Sequence, residues 1–138
     1  MDVIRRNTDY ALRIMVNLAS NYMKGSKTSR QLSKEEEVSS QLTSKLLQTL
    51  KAAGFVKSIM GVKGGFELAK PPSQIQMLEV VAAVQGPITL NRCVLGKDKC
   101  PKQGKCPMTA KLNSLQQTIE ENLRSVTMAD LAELVKDN

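Results

Sequence analysis

The chain has 138 residues and a formal net charge of +7, and it contains no histidine and no tryptophan. This length suits one domain with at most an appendage. The lack of histidine and of any paired-carboxylate motif argues against an enzyme. The excess of basic residues favours a polyanionic partner, which could be DNA, RNA or an anionic membrane, and the alternative is a protein that is basic in composition only. No apolar run approaches the roughly 20 residues that span a bilayer, and the N-terminus lacks a signal-peptide core, so we expect a cytoplasmic protein without membrane contact.

Residues 8–54 predict a first helix followed by a helix-turn-helix, whose second helix ends at residues 53–54. Apolar side chains recur at helical spacing over residues 8–24, which predicts a first helix that ends near Gly25. Thr28 and Gln31 then fit a capping box that opens a short helix. After a turn at residues 38–41, a further helix carries leucines at positions 42, 46, 47 and 50 on one face. Two short helices joined by a tight turn are typical of a helix-turn-helix.

A β-hairpin is predicted directly after this motif. Residues 55–59 and 66–68 alternate apolar and polar side chains, and the glycine-containing segment 60–65 joins them. A hairpin in this place makes the unit a winged helix, with Lys63 at the tip facing phosphate or the minor groove. The glycines could instead form a phosphate-cradling loop, but no Walker pattern follows them.

The second helix of the motif presents polar groups that suit DNA. Its exposed face is predicted to carry hydroxyl, amide and lysine side chains without a carboxylate, which fits phosphates and base edges. The alternative is an ordinary solvated face, which more often includes glutamate. The full set of predicted DNA contacts is Thr28, Ser29, Arg30, Ser39, Ser40, Gln41, Ser44, Lys45, Gly61, Lys63 and Gly64.

The C-terminal half of the chain predicts a dimerisation helix. A helix over residues 75–85 ends at Gly86, a loop covers residues 88–107, and a long helix begins at Met108. Polar residues such as Gln116 are predicted on its outer face. A second copy of the same helix is the expected partner, and the alternative is packing on its own domain. The apolar positions of the predicted dimer contact are Met108, Leu112, Leu115, Ile119 and Leu123.

The predicted fold is mainly α with a small β-hairpin. It comprises a winged helix-turn-helix domain (1–87), a cysteine loop (88–107), a dimerisation helix (108–126) and a short C-terminal helix (127–138).

All three cysteines lie within the loop, at Cys93, Cys100 and Cys106, with four lysines between them. Their odd number argues against a disulfide framework. Nearby positive charge favours the thiolate, and thiolates bind zinc, copper(I) or iron–sulfur clusters. The spacings are too long for typical zinc hooks. An iron–sulfur cluster usually takes four protein ligands, so a carboxylate, another oxygen, a small thiol or no ligand would complete the set. A thiol redox switch, a zinc site and no function remain alternatives.

Four stretches carry a resemblance to a known family. They are "TDYALRI" (8–14), "LLQTLKAAGFVKSIMGVKGGFELAKP" (46–71), "MLEVVAAVQGP" (77–87), and the cysteine loop followed by the long helix. The chain resembles, from end to end, the Rrf-type family of bacterial winged-helix regulators, which includes IscR, NsrR, RirA and CymR. The ending "VTMADL" is similar to that of the nitric-oxide-sensing, NsrR-like members, to which the chain looks closest.

The resemblance implies a homodimer that binds a palindromic operator on double-stranded DNA. It implies that Cys93, Cys100 and Cys106 hold an iron–sulfur cluster, 4Fe–4S in preference to 2Fe–2S, with Asp9 of the partner subunit as the candidate fourth ligand. Thr109 stands where one branch of the family has a histidine ligand. Met60 replaces the usual wing arginine, with Lys63 as a candidate substitute.

The leading hypothesis is a DNA-binding repressor gated by an iron–sulfur cluster that senses nitric oxide, redox state or iron. The second is a cluster-free repressor of the same family, controlled by thiol oxidation or by a partner protein. A third, an iron–sulfur electron carrier, leaves the helix-turn-helix and the positive charge unexplained.

Overall fold

The structure, a computed structural model, describes residues 2–95, 100–102 and 104–136, without the side chains of residues 92 and 93. Helices dominate these ranges, and the predicted fold class is confirmed. None of the described helices is long and apolar enough to cross a membrane. The elements are α1 (Arg6–Ser20), α2 (Ser29–Glu36), α3 (Ser40–Ala52), β1 (Val56–Ile59), β2 (Gly65–Leu68), α4 (Met77–Gln85), α5 (Met108–Ser125) and α6 (Met128–Lys136), with short 3-10 helices at Pro72–Gln74 and Arg92–Leu95.

The hydrophobic core surrounds α1. Ala11, Ile14 and Met15 are fully buried at helical spacing, and the helix packs against α2, α3, α4 and α6. The predicted limits of this helix were wrong at both ends, because it begins at residue 6 and stops at residue 20. The turn that follows is closed by the side chain of Asn21, whose Nδ2 donates to the Gly25 carbonyl at 3.0 Å.

Local side-chain caps define the helix-turn-helix. The predicted capping box is present: Thr28 Oγ1 accepts from the Gln31 N–H at 3.1 Å, and Gln31 Oε1 accepts from the Thr28 N–H at 2.8 Å. α3 begins in the same way, since Ser39 Oγ accepts from the Leu42 N–H at 3.2 Å. Between the two helices Glu37 adopts the left-handed conformation, with φ of 56°. These caps fix where each helix starts.

The hairpin is fixed to the start of α2 by backbone pairing. β1 and β2 are antiparallel, with Val56 opposite Leu68. The Lys27 N–H donates to the Phe66 carbonyl at 2.9 Å, and the Phe66 N–H donates back at 2.7 Å. At Gly65, φ is +156°, and a Cβ would lie 2.5 Å from the Lys27 carbonyl oxygen. Only glycine allows this close approach.

α6 belongs to the same core as the N-terminal helices. The Met77 N–H donates to the Val126 carbonyl at 2.7 Å, and the Met128 N–H donates to the Ile75 carbonyl at 2.9 Å. This pairing sets α6 against α1, and Met128 and Ala132 are buried there. The described part of α6 therefore packs as part of the core of the N-terminal domain.

The side chain of Gln116 connects α5 to the start of the cysteine loop. Its Nε2 donates to the Ile88 carbonyl, and its Oε1 accepts from the Leu90 N–H at 3.0 Å. The residue is buried, so its predicted place on the outer polar face was wrong. The amide can be buried because its hydrogen bonds satisfy both its own polar atoms and the backbone groups of Ile88 and Leu90.

We expect Gln116→Ala to lower the free energy of unfolding by about 1–3 kcal/mol, because it leaves buried backbone groups without partners. Gln117→Ala is the matched control, since the neighbouring amide is exposed; its effect should stay within about 0.5 kcal/mol. Urea unfolding followed by circular dichroism measures both. Equal effects of the two variants would contradict the role of Gln116.

Candidate nucleic-acid interface and cysteine pocket

The exposed face of α3 carries the polar residues that the sequence predicted for it. Ser40, Gln41, Ser44 and Lys45 are all exposed. They are exposed because Leu46, Leu47 and Leu50 take the opposite face into the core. The helix therefore presents the lysines Lys45 and Lys51 together with neutral groups that donate and accept hydrogen bonds.

The start of α2 lies against this face. Ser29 Oγ is 3.1 Å from Ser44 Oγ, and Arg30 is exposed nearby on the first turn of α2. Thr28 and Ser39, both predicted DNA contacts, use their hydroxyl oxygens as helix caps. Each hydroxyl keeps a proton that it can donate to a phosphate oxygen.

The tip of the hairpin extends from the same region. Gly61 and Lys63 are exposed, whereas Gly64 is half-buried against the backbone of Ile59. Ser26 Oγ donates to the Lys63 carbonyl at 2.7 Å, so the loop before α2 supports the tip. The predicted DNA-contacting residues thus lie on α2, on α3, at their N-caps and on the hairpin, which these contacts join, and we call this region the winged-helix surface.

A polar network that the sequence did not reveal joins α1 to α2. Asn17 Nδ2 donates to Glu35 Oε2 at 2.9 Å and to Glu36 Oε2 at 2.7 Å. Lys27 Nζ donates to Asn17 Oδ1 at 2.7 Å and to Glu35 Oε2 at 2.8 Å. Arg13 donates to the Glu36 carbonyl and lies 3.6 Å from its carboxylate. The hydrogen bonds from Lys27 and Asn17 hold the pKa of the Glu35 carboxyl below its usual value of 4.5.

Two of the three cysteines share a pocket at the start of α5. Cys100 and Cys106 are free, half-buried thiols that line a cavity of about 420 Å³. Lys102, Met108 and Leu112 also line it. The side chain of Cys93 lies outside the described part of the structure. Among the described residues, no group of three or more Cys, Asp or Glu side chains is placed to hold a metal ion.

Asp9 does not line this pocket. It lies in the first turn of α1 with its side chain 59% exposed, and Arg13 Nη1 is 4.0 Å from its carboxylate. It lines a separate depression over α1. Its carboxylate is therefore accessible to another molecule.

The apolar side chains of α5 divide into two groups. Ile119 and Leu123 pack against the core of their own domain. Met108 and Leu115 are exposed, and Leu112 lines the cysteine pocket. The exposed apolar side chains of α5 are therefore Met108, beside the cysteines, and Leu115, about two turns further along the helix.

A family model described as iron-dependent transcriptional regulator (Rrf2) matches residues 4–134. The chain belongs to the Rrf2 family. It is 30% identical over 122 residues to the HTH-type transcriptional regulator IscR of Klebsiella pneumoniae, covering 88% of this chain and 74% of that protein. The family and this relative identify the chain as a transcriptional regulator and not an enzyme.

Solved structures of Rrf2-type regulators share the fold. CymR, the global cysteine regulator of B. subtilis, superposes with a TM-score of 0.80 at 27% identity, covering 97% of this chain and 98% of that one. IscR of T. potens gives a TM-score of 0.77 at 23% identity, covering 97% and 86%. The expected winged-helix regulator fold is thus confirmed.

The lowered pKa of Glu35 predicts a pH-dependent contribution to stability. The ionised carboxylate is favoured in the fold, so the contribution is present above the unfolded pKa and is lost as pH falls through the lowered folded pKa. At neutral pH, Glu35→Gln should cost up to about 1 kcal/mol, because a half-exposed pair is screened by solvent. Thermal unfolding between pH 7 and pH 3 should show the difference from wild type shrinking once the pH falls below about 4.5.

Glu37→Gln is the control for this measurement, because Glu37 is exposed and makes no ion pair among the described residues. A difference between wild type and Glu35→Gln that is independent of pH would contradict the assignment.

Proposed function

We propose that this Rrf2-family regulator is a homodimeric, cytoplasmic DNA-binding repressor whose operator binding is gated by an iron–sulfur cluster. The signal would be nitric oxide, redox state or iron supply, as in the nitric-oxide-sensing members that the chain resembles. The observation that carries the proposal is the shared pocket of Cys100 and Cys106, which lies at the start of α5 in a chain with a winged-helix surface.

The chemistry of the pocket supports a cluster. Thiolates are soft ligands that select iron–sulfur clusters, zinc or copper(I), and Lys102 offsets the negative charge that a thiolate-ligated cluster carries. Cys93, Cys100 and Cys106 would hold the group, preferably 4Fe–4S, which would supply reactivity toward nitric oxide and oxidants. The apolar side chains of Met108 and Leu112 form part of the pocket wall beside the thiols.

The accessibility of Asp9 supports a dimer in which each copy completes the other's site. The carboxylate lies outside the pocket of its own Cys100 and Cys106, so a ligand role requires a second copy of the chain. Met108, which lines the cysteine pocket, and Leu115, about two turns further along α5, are exposed and give that second copy an apolar surface. Dimer contact and cluster ligation would then occur at the same place.

The winged-helix surface supports binding to a palindromic operator. On α3, this surface exposes hydrogen-bond donors, hydrogen-bond acceptors and lysines, and it carries no carboxylate. In a two-fold dimer, two such surfaces would face adjacent half-sites, and the dimer contact at α5 would set the distance between them. Loss of the cluster would relax that distance and weaken binding.

A second candidate is a regulator that responds through its thiols alone. It is favoured by the free thiols of Cys100 and Cys106 in one pocket and by the structural similarity to CymR. Both candidate regulators would bind DNA through the same surface. The presence or absence of a bound cluster therefore distinguishes them.

DNA binding should depend steeply on salt. With roughly six to ten phosphate contacts per dimer, affinity should fall about 10³- to 10⁵-fold between 50 and 200 mM salt. Lys45→Ala should reduce the slope of log K against log salt by about one to two units per dimer. Lys136→Ala is the control, since this exposed lysine lies on α6. Fluorescence anisotropy with operator duplexes selected from a random library measures the slopes, and a salt-independent affinity would refute DNA binding.

Protein purified without oxygen should contain about four irons per chain, with a visible absorption band that nitric oxide bleaches. Cys100→Ser should prevent cluster assembly, because it removes a thiolate ligand. Asp9→Ala should leave the fold intact and shorten the lifetime of the cluster in air, and Asp2→Ala, which removes the same charge near the start of α1, should not.

Two outcomes would change this conclusion. An iron-free protein after attempted reconstitution would favour the thiol-controlled regulator. A cluster of unchanged lifetime in Asp9→Ala would reject Asp9 as a ligand.

A further inference from the structure

The tip of the hairpin is apolar as well as cationic. Met60 is 90% exposed and Val62 is 106% exposed, and Ile59 at the end of β1 is also exposed. No carboxylate occurs within residues 59–65, where Lys63 provides the one charge. The side chains of Met60 and Val62 are thus fully exposed to water, next to the charged side chain of Lys63.

These side chains stand on a rigid support. The Gly64 N–H donates to the Gly61 carbonyl at 3.0 Å, which closes the turn. Ser26 Oγ holds the Lys63 carbonyl from the side, and the paired backbones of Lys27 and Phe66 hold the base of the hairpin. A tip that is held in this way can push against a binding partner without first losing much conformational freedom.

The support also fixes the tip relative to α3. Phe66 pairs with Lys27, which directly precedes the N-cap of α2, and Ser29 of α2 lies 3.1 Å from Ser44 of α3. When α3 lies in a major groove, a hairpin fixed beside it reaches the adjacent minor groove, because the grooves alternate across the phosphate backbone. Apolar side chains that enter a minor groove act as wedges that unstack a base step and bend the duplex.

We propose that Met60 and Val62 form an apolar wedge that enters the minor groove of the operator and bends it, while Lys63 contacts a flanking phosphate. This inference rests on the proposed DNA binding and adds how the hairpin contributes to specificity. The wedge would select steps that unstack at low cost, such as TA and CA/TG, rather than read base edges through hydrogen bonds. The unbranched side chain of Met60 suits this role, because it adapts to an irregular gap.

The test compares wild type, Met60→Ala, Val62→Ala and Met60→Arg on one operator duplex selected by the wild-type protein from a random library. Affinity is measured over a salt series, and bending is measured by energy transfer between dyes at the two duplex ends. Met60→Ala and Val62→Ala should each weaken binding roughly ten-fold and reduce bending, with the salt slope unchanged. Met60→Arg should also reduce bending, but should steepen the salt slope by about one to two units per dimer.

Met23→Ala is the matched control. Met23 is 86% exposed and lies in the connection between α1 and α2, away from the hairpin tip in sequence. It should bind and bend the duplex like wild type. Since all these side chains are exposed, thermal unfolding should give the same midpoint for each variant.

The outcomes separate this inference from the proposed function. Wild-type affinity and bending in both Met60→Ala and Val62→Ala would overturn the wedge and leave DNA binding intact. An equal loss in Met23→Ala would also overturn it. A wild-type protein that binds no duplex of the library would refute both the proposed function and the wedge.

Discussion

The backbone pairing between Lys27 and Phe66 determines how the DNA-facing parts of this regulator are arranged. It joins the hairpin to the residue before the N-cap of α2, and that helix in turn contacts α3 through Ser29 and Ser44. The pairing needs the close approach at Gly65, which a side chain would block. One non-local contact therefore sets the geometry of three elements that lie up to 40 residues apart in sequence.

The polar network over α1 complements this pairing. Asn17 bridges the carboxylates of Glu35 and Glu36, and Lys27 binds both Asn17 and Glu35. Lys27 thus takes part in the network through its side chain and in the hairpin through its backbone. Asp9 lies two helical turns before Asn17 on the same helix, so the candidate cluster ligand and the support of the winged-helix surface share one rigid element.

Local patterns in the sequence predicted the helix-turn-helix well, because its boundaries depend on caps such as Thr28 and Ser39 that act within three residues. The end of α1 was not predictable in this way, since the helix stops at Ser20 and the Asn21 side chain bonds to the Gly25 carbonyl across the turn that follows. Periodicity also placed Gln116 with the exposed polar residues, because residue type alone does not reveal a buried backbone that needs a partner. Three cysteines and a family resemblance suggested the cluster site, but only the fold brings Cys100 and Cys106 into one pocket.

The contact of Gln116 with residues 88 and 90 has a consequence for the entropy of ligand binding. The segment with all three cysteines is attached to α5 at both ends, by Gln116 at its start and by Met108 at its end. These two points are separated by roughly 12 Å along the helix. A segment whose ends are already held together loses less freedom when its thiols converge. For the proposed cluster, part of the entropy cost of bringing the thiols together would thus be met during folding.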